Sequence, residues 1–135
     1  MSETRDAQKT ILVVDHEPLM LHLAAAILHR AGYEVLRARS GAEALATFFK
    51  STVRIQLLLA AVVMPNMGGP YLADLLRERD AELRVLLMTG VDDTETAKVR
   101  AHRRGFLTLQ QPFTTTGLLD AVRTELEKPQ ARSAT

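Results

Sequence analysis

Asp15-His16-Glu17 sets two carboxylates and an imidazole at the end of the β-branched run ILVVD (11–15). Such a trio can hold a cation or a water, or sense protons. Each member also has a plainer role. Asp15 can be a polar strand end that caps the next helix, and His16 a solvated loop residue. His22 and His29 lie on the following helix and are not placed to join His16 as metal ligands. Thr89 offers a hydroxyl after LRVLLM (83–88), and Gln111 an amide before Pro112-Phe113. The uncharged run LLLAAVVMPNMGG (57–69) has the texture of a buried strand stopping at a tailored turn, yet its stop is the methyl group of Ala61. The chain has no cysteine, hence no thiolate nucleophile and no Cys-based metal site. These positions present no nucleophile–base pair, and an enzyme is not expected.

The elements that must position these groups follow from periodicity. ILVVD is strand one. Pro18 opens helix one, with Met20, Leu23, Ala24, Ile27, Leu28 and Ala31 at the spacing of one helical face and Gly32 as its stop. YEVLRA (33–38) is strand two, less apolar, as an edge strand is. Ser40-Gly41-Ala42-Glu43 is a capping box for helix two, whose apolar positions are Ala42, Leu45, Ala46 and Phe49. Ile55 to Ala61 is strand three. Pro70 opens helix three, with Leu72, Leu75 and Leu76 inward. LRVLLM is strand four. Residues 93–104 form a weaker helix with Ala97, Val99 and Ala101 as its apolar positions. FLTL (106–109) is strand five, and Leu118, Leu119, Val122 and Leu126 mark the last helix. Strands one, three and four are apolar on both faces, so helices must cover both sides of a parallel sheet. Right-handed crossovers then give a doubly wound α/β fold. Ligands in such sheets sit beyond the carboxyl ends of the strands, which is where Asp15, Ala61, Thr89 and Gln111 fall.

The 135 residues suit one domain, expected over 10–127 with flexible tails at 1–9 and 128–135. The apolar fraction of 47% is ordinary for a chain with a buried core. A net charge of +1 implies neither a polyanion nor a membrane partner. No apolar run approaches the ~18 residues of a membrane span, and MSETRDAQKT lacks the apolar core of a signal peptide. A cytoplasmic domain is expected.

Four segments together resemble the signatures of the receiver domain of two-component response regulators: VVDHEP (13–18), LLLAAVVMPNMGG (57–69), VLLMTG (85–90) and QQPF (110–113). The resemblance runs from about residue 10 to 127 in the family's order and spacing. The texture of VVMPNMGGPYLADLLR and LRVLLMTG looks most like receivers of hybrid sensor kinases. The resemblance implies a flavodoxin-like five-stranded sheet of order 2-1-3-4-5 with five helices. It also implies phosphoryl transfer to an aspartate. Two acids after strand one and the aspartate ending strand three hold Mg²⁺, and a Ser/Thr and a Lys bind the phosphoryl oxygens.

Carried over position by position, the set is broken. Asp15 matches the first acid, with Glu17 completing the acidic remnant, but His16 stands where the metal-binding second acid belongs. Ala61, four residues before Pro65, stands at the phosphoacceptor position. Thr89 matches the switch hydroxyl, as a vestigial phosphate contact or a loop hydroxyl bonded to backbone. Gln111 stands at the lysine position, where it can bond Asp15 or Thr89. No Asp or Glu occurs from Ala44 to Ala73, so a shift of register supplies no acceptor. A carboxylate about 4 Å from a dication contributes roughly 8 kcal/mol of gross attraction at an effective dielectric of ~20, and two are gone. Imidazole suits Zn²⁺, Cu²⁺ or Ni²⁺ better than Mg²⁺. The expectation is a degenerate pseudo-receiver with no phosphorylation at the usual site, Mg²⁺ binding weak or absent, and no other cofactor or metal.

Lys98, Arg100, His102, Arg103 and Arg104 form a basic stretch, with Phe106 two residues beyond. It reads as a solvated face or as a docking face for an acidic partner or a second copy. The resemblance places it on helix four, strand five and helix five, the usual output face. The expected partners are a histidine kinase or another signalling protein, with a homodimer through that face. Nucleic acid is disfavoured because no aromatics interleave with the charges. The position of the family's switch aromatic is Thr108. The expected function is a signalling module acting through protein contacts. The alternatives are a conventional phospho-accepting regulator with a substitution introduced at Ala61, and a small-ligand sensor using the pocket.

Overall fold

Leu57-Leu58-Leu59-Ala60-Ala61 is buried at every position, which requires cover on both faces, and the computed structural model supplies it. The structure describes residues 9–90 and 93–128; the terminal segments 1–8 and 129–135 lie outside the described residues. The elements are β1 (Thr10–Val14), α1 (Pro18–Arg30), β2 (Glu34–Ala38), α2 (Gly41–Lys50), β3 (Leu57–Ala61), α3 (Gly69–Arg79), β4 (Arg84–Thr89), α4 (Glu95–Arg103), β5 (Leu107–Gln110) and α5 (Thr115–Glu127). All strand pairs are parallel, in the order β2-β1-β3-β4-β5. This is the flavodoxin-like arrangement expected from the sequence.

Alternation along the strands divides the core in two. Leu12, Val14, Leu58, Ala60, Val85 and Leu87 face α2, α3 and α4. Ile11, Val13, Leu57, Leu59, Leu86 and Met88 face α1 and α5. Each fully buried Leu contributes roughly 1.5–3 kcal/mol relative to exposure, and accordingly β1 and β3 are uncharged throughout, while β4 carries a charge only at its half-buried first residue, Arg84.

The helix faces depart from the sequence reading. On α1 the buried residues are Leu21, Ala24, Ala25 and Leu28, while Leu23 and Ala31 are exposed. The face is rotated by about one residue, so small alanines lie against the sheet and Leu23 does not. On α2 Ala44 is buried and Leu45 and Phe48 pack against the core, whereas Ala42, Ala46 and Phe49 are exposed. The Phe49 ring instead lies under the Arg79 guanidinium, 4.6 Å from its centroid. On α3 Leu72, Ala73 and Leu76 are buried, with Leu75 half-buried.

The ends are set by specific bonds. Ser40 Oγ accepts the Glu43 N–H at 3.1 Å, while Glu43 Oε1 accepts the Arg39 N–H at 2.7 Å, one residue outside the expected reciprocal partner. α1 closes with Gly32 at φ +103°, the Tyr33 N–H reaching Leu28 O. α4 closes in the same way with Gly105 at φ +82° and the Phe106 N–H on Ala101 O. In both, the left-handed residue satisfies the last helical carbonyls and turns the next residue inward. Phe106 is therefore part of that closure, and β5 starts at Leu107.

Candidate functional site

β1, β3 and β4 end side by side, so their C-terminal residues and the loops after them enclose a crevice of about 490 Å³. Asp15, His16, Glu17, Ala61 and Gln111 line it, together with Asp93. Asp15 is 2% exposed. Its Oδ1 accepts the Glu17 N–H at 3.0 Å and its Oδ2 faces the Gln111 Nε2 at 3.5 Å. Asp15 thus ties the strand end to the N-cap residue of α1, and of the two bonds offered to Gln111 the one to Asp15 is made. Burial pushes the Asp15 carboxyl above its ordinary range; the Glu17 N–H, the Gln111 amide and the nearby His16 pull the other way without offsetting it. His16 is exposed, with Nδ1 3.7 Å from Asp15 Oδ1 and Nε2 3.7 Å from Glu17 Oε2.

Ala61 closes β3 at 7% exposure, its methyl against the crevice. The following turn is shaped for a close approach. A Cβ on Gly69 would lie 2.5 Å from the Ala61 carbonyl oxygen, so the glycine lets α3 start directly against the strand end. The turn is held independently of any side chain at position 61.

Thr89 is not brought to the crevice. It is buried, and its hydroxyl donates to Gln110 Oε1 at 3.3 Å. Leu107 and Leu109 pack toward α1 and α5, so alternation puts Thr108 and Gln110 on the α4 side, where Thr89 also points. Two residues of this site were not singled out from the sequence. Gln110 is Thr89's partner. Asp93 holds the loop after β4, its Oδ2 accepting the Gly90 N–H at 2.8 Å. No usual turn signal marks Asp93, because an Asx turn bonds backbone ahead of the Asp and this carboxylate reaches back three residues.

The donor set does not fit Mg²⁺. That ion needs near-octahedral oxygens held by carboxylates. Here Asp15 already accepts two protein hydrogen bonds, His16 offers nitrogen and Ala61 nothing. Among the described residues no group of three His, Cys, Asp or Glu side chains is placed to hold a metal.

The basic stretch is split by the structure. Arg100, His102, Arg103 and Arg104 are exposed and Lys98 half-buried. Phe106 does not share that face. It is 6% exposed, packed in the core, with the guanidinium carbons of Arg77 and Arg104 at 5.5 and 5.6 Å from its ring centroid. The closure of α4 turns it in. Arg104 also pairs with Asp74 on α3.

A parallel sheet of order 2-1-3-4-5 with a crevice at its carboxyl edge, an acid after β1 and a Pro-Phe turn after β5 defines a class of signalling domain. Residues 11–123 match the response regulator receiver domain, and the chain belongs to that family. Over 119 residues, 88% of this chain, it is 29% identical to the sensor kinase CckA of Brucella abortus. Over 123 residues, 90% of this chain, it is 32% identical to the C4-dicarboxylate transport transcriptional regulatory protein DctD of Pseudomonas aeruginosa. The chain spans 13% of the first relative's length and 26% of the second's. Among solved structures, a putative response regulator from Chloroflexus aurantiacus superposes with a TM-score of 0.78 at 30% identity, covering 89% of this chain and 98% of that one. The receiver domain of NtrX from Brucella abortus gives 0.77 at 28%, covering 88% and 99%. Among the described residues no helix is long and apolar enough to cross a membrane.

Proposed function

We propose that this chain is a pseudo-receiver: a two-component signalling module of the cytoplasm that takes no phosphoryl group at the end of β3, catalyses no reaction and acts through protein contacts. Its partner is a histidine kinase or another signalling protein, and the texture of β3, α3 and β4 favours an origin beside a hybrid sensor kinase. The observation that carries this reading is the methyl of Ala61 at the end of β3, inside the crevice where the family's acceptor carboxylate belongs. Three supports stand beside it. His16 and Gln111 replace the family's second acid and lysine, Asp15 is held by the Glu17 N–H, and Thr89 is turned to Gln110. With acid–acid repulsion reduced, metal and phosphate have little to relieve, and the switch lacks its trigger.

Incubation with acetyl phosphate and Mg²⁺, followed by intact-mass measurement, tests this. The expected result is no phosphoryl adduct. A stoichiometric adduct, mapped to Asp15, Asp93 or any other carboxylate of the crevice, ends the reading.

A further inference from the structure

α4 carries the densest positive charge of the chain. Within residues 98–104 stand Lys98, Arg100, Arg103 and Arg104, in a protein whose net charge is +1. These cations are not equivalent. Arg104 is committed: it pairs with Asp74 of α3 and lies over the Phe106 ring. That contact fixes the end of α4 against α3. Arg100, one turn earlier, is exposed and has no carboxylate partner among the described residues. It stands between two hollows. The hollow on the α3 side, about 270 Å³, is bordered by Gly68, Pro70, Tyr71, Ala97, Arg100 and Arg104. The other, about 310 Å³, is bordered by Glu95, Val99, Arg100 and Arg103. Tyr71 is 58% exposed beside the first and Val99 48% exposed beside the second. At Gly68 a Cβ would lie 2.6 Å from the Val62 carbonyl oxygen, so this wall is bare backbone.

We propose that the groove between α3 and α4 is a docking site for an acidic segment of a protein partner, with Arg100 taking a carboxylate and Tyr71, Pro70 and Ala97 an apolar side chain next to it. The proposal rests on the reading of this chain as a protein-contact module and names the chemistry of one such contact. Charge complementarity selects an acidic occupant, because Arg100 offers a guanidinium fork that no carboxylate among the described residues takes. The apolar border favours a peptide over a single-stranded nucleic acid, since Tyr71 is the one aromatic among the described residues lining this hollow and offers no platform on which successive bases could stack. With Arg104 already held by Asp74, the groove's far wall is set before a partner arrives, which limits the ordering cost of binding.

The test is a titration of the full ¹⁵N-labelled chain with a synthetic peptide of repeated Glu-Glu-Leu, read by amide chemical shifts. Saturable shifts at Gly68, Tyr71, Ala97 and Arg100 are expected. Arg100→Glu is expected to weaken binding about tenfold or more and Tyr71→Ala several-fold, while Arg37→Glu on the exposed β2 edge leaves it unchanged. Arg100→Gln serves where the charge reversal disturbs the spectrum. Four results overturn the proposal: no saturable shifts; shifts confined to β5 and α5; equal weakening by Arg37→Glu; or displacement of the peptide from these residues by a DNA duplex at matched charge. A concentration-dependent dimer in sedimentation that Arg100→Glu abolishes assigns the groove to a second copy and overturns it too. None of these outcomes alters the acetyl phosphate result, so the two readings fail separately.

Discussion

Asp15 is the residue on which the crevice turns. It is the one acid of the site that is buried, and burial holds its carboxyl above the ordinary 3.8. The folded state therefore keeps the Asp15 proton to higher pH than the unfolded chain does. Stability from this group is full below the unfolded value and is lost as pH rises through the window above it. Asp15→Asn removes the charge while its side-chain oxygen still accepts the Glu17 N–H. At pH 7 the variant is expected to be more stable than the parent, because the parent must bury a charge there and the amide does not. Urea melts at pH 7 and below pH 4 check this. The gain should disappear in acid, where both side chains are neutral; a loss at pH 7 would mean that the charged form has a counter-ion in the folded protein. Ala61 is the opposite case, since a methyl group neither ionises nor ligates and its meaning lies in what it cannot do.

Elements show how far the sequence could be read. Strand positions were legible because uncharged β-branched and Leu-rich runs on both faces leave few alternatives, and the site positions at the ends of β1 and β3 came with them. Helix faces were less so: α1 offers apolar residues over most of its circumference, and periodicity alone did not distinguish Leu23 from Leu21, which is 6% exposed. Side-chain direction at strand ends was also hidden. Thr89 follows the run that ends β4, but its partner Gln110 is fixed by the register of β5, which the closure of α4 sets one residue later than FLTL suggested. That closure can be tested. Gly105 sits at φ +82° with open space around its would-be Cβ, so Gly105→Ala introduces backbone strain without a clash. The expected cost is about 1–2 kcal/mol, read as a lower urea midpoint with unchanged slope. A neutral result would show that the left-handed turn does not set the end of α4.

At the scale of the whole molecule, the sheet is a scaffold whose core lies almost entirely outside the crevice. Both cores are built from residues that never reach it, apart from Ala61 and Met88 at its rim. The fold can therefore be retained while site residues change, and the site should be recoverable by returning its donors. In His16→Asp/Ala61→Asp/Gln111→Lys two new carboxylates and a lysine join Asp15, Glu17 and Asp93 around the crevice. Without a divalent ion, repulsion and burial should leave this variant less stable than the parent by roughly 1–3 kcal/mol. With Mg²⁺ at a hundred times its dissociation constant, about 2.7 kcal/mol should return. Thermal melts with and without millimolar Mg²⁺ measure both numbers, and the parent chain, whose donors do not fit the ion, should show no change. Ala61→Asp alone should gain little from Mg²⁺, because His16 still denies it the second oxygen donor. If that single change responds as strongly as the triple variant, position 61 by itself controls the site, and the substitutions at 16 and 111 carry no part of its silence.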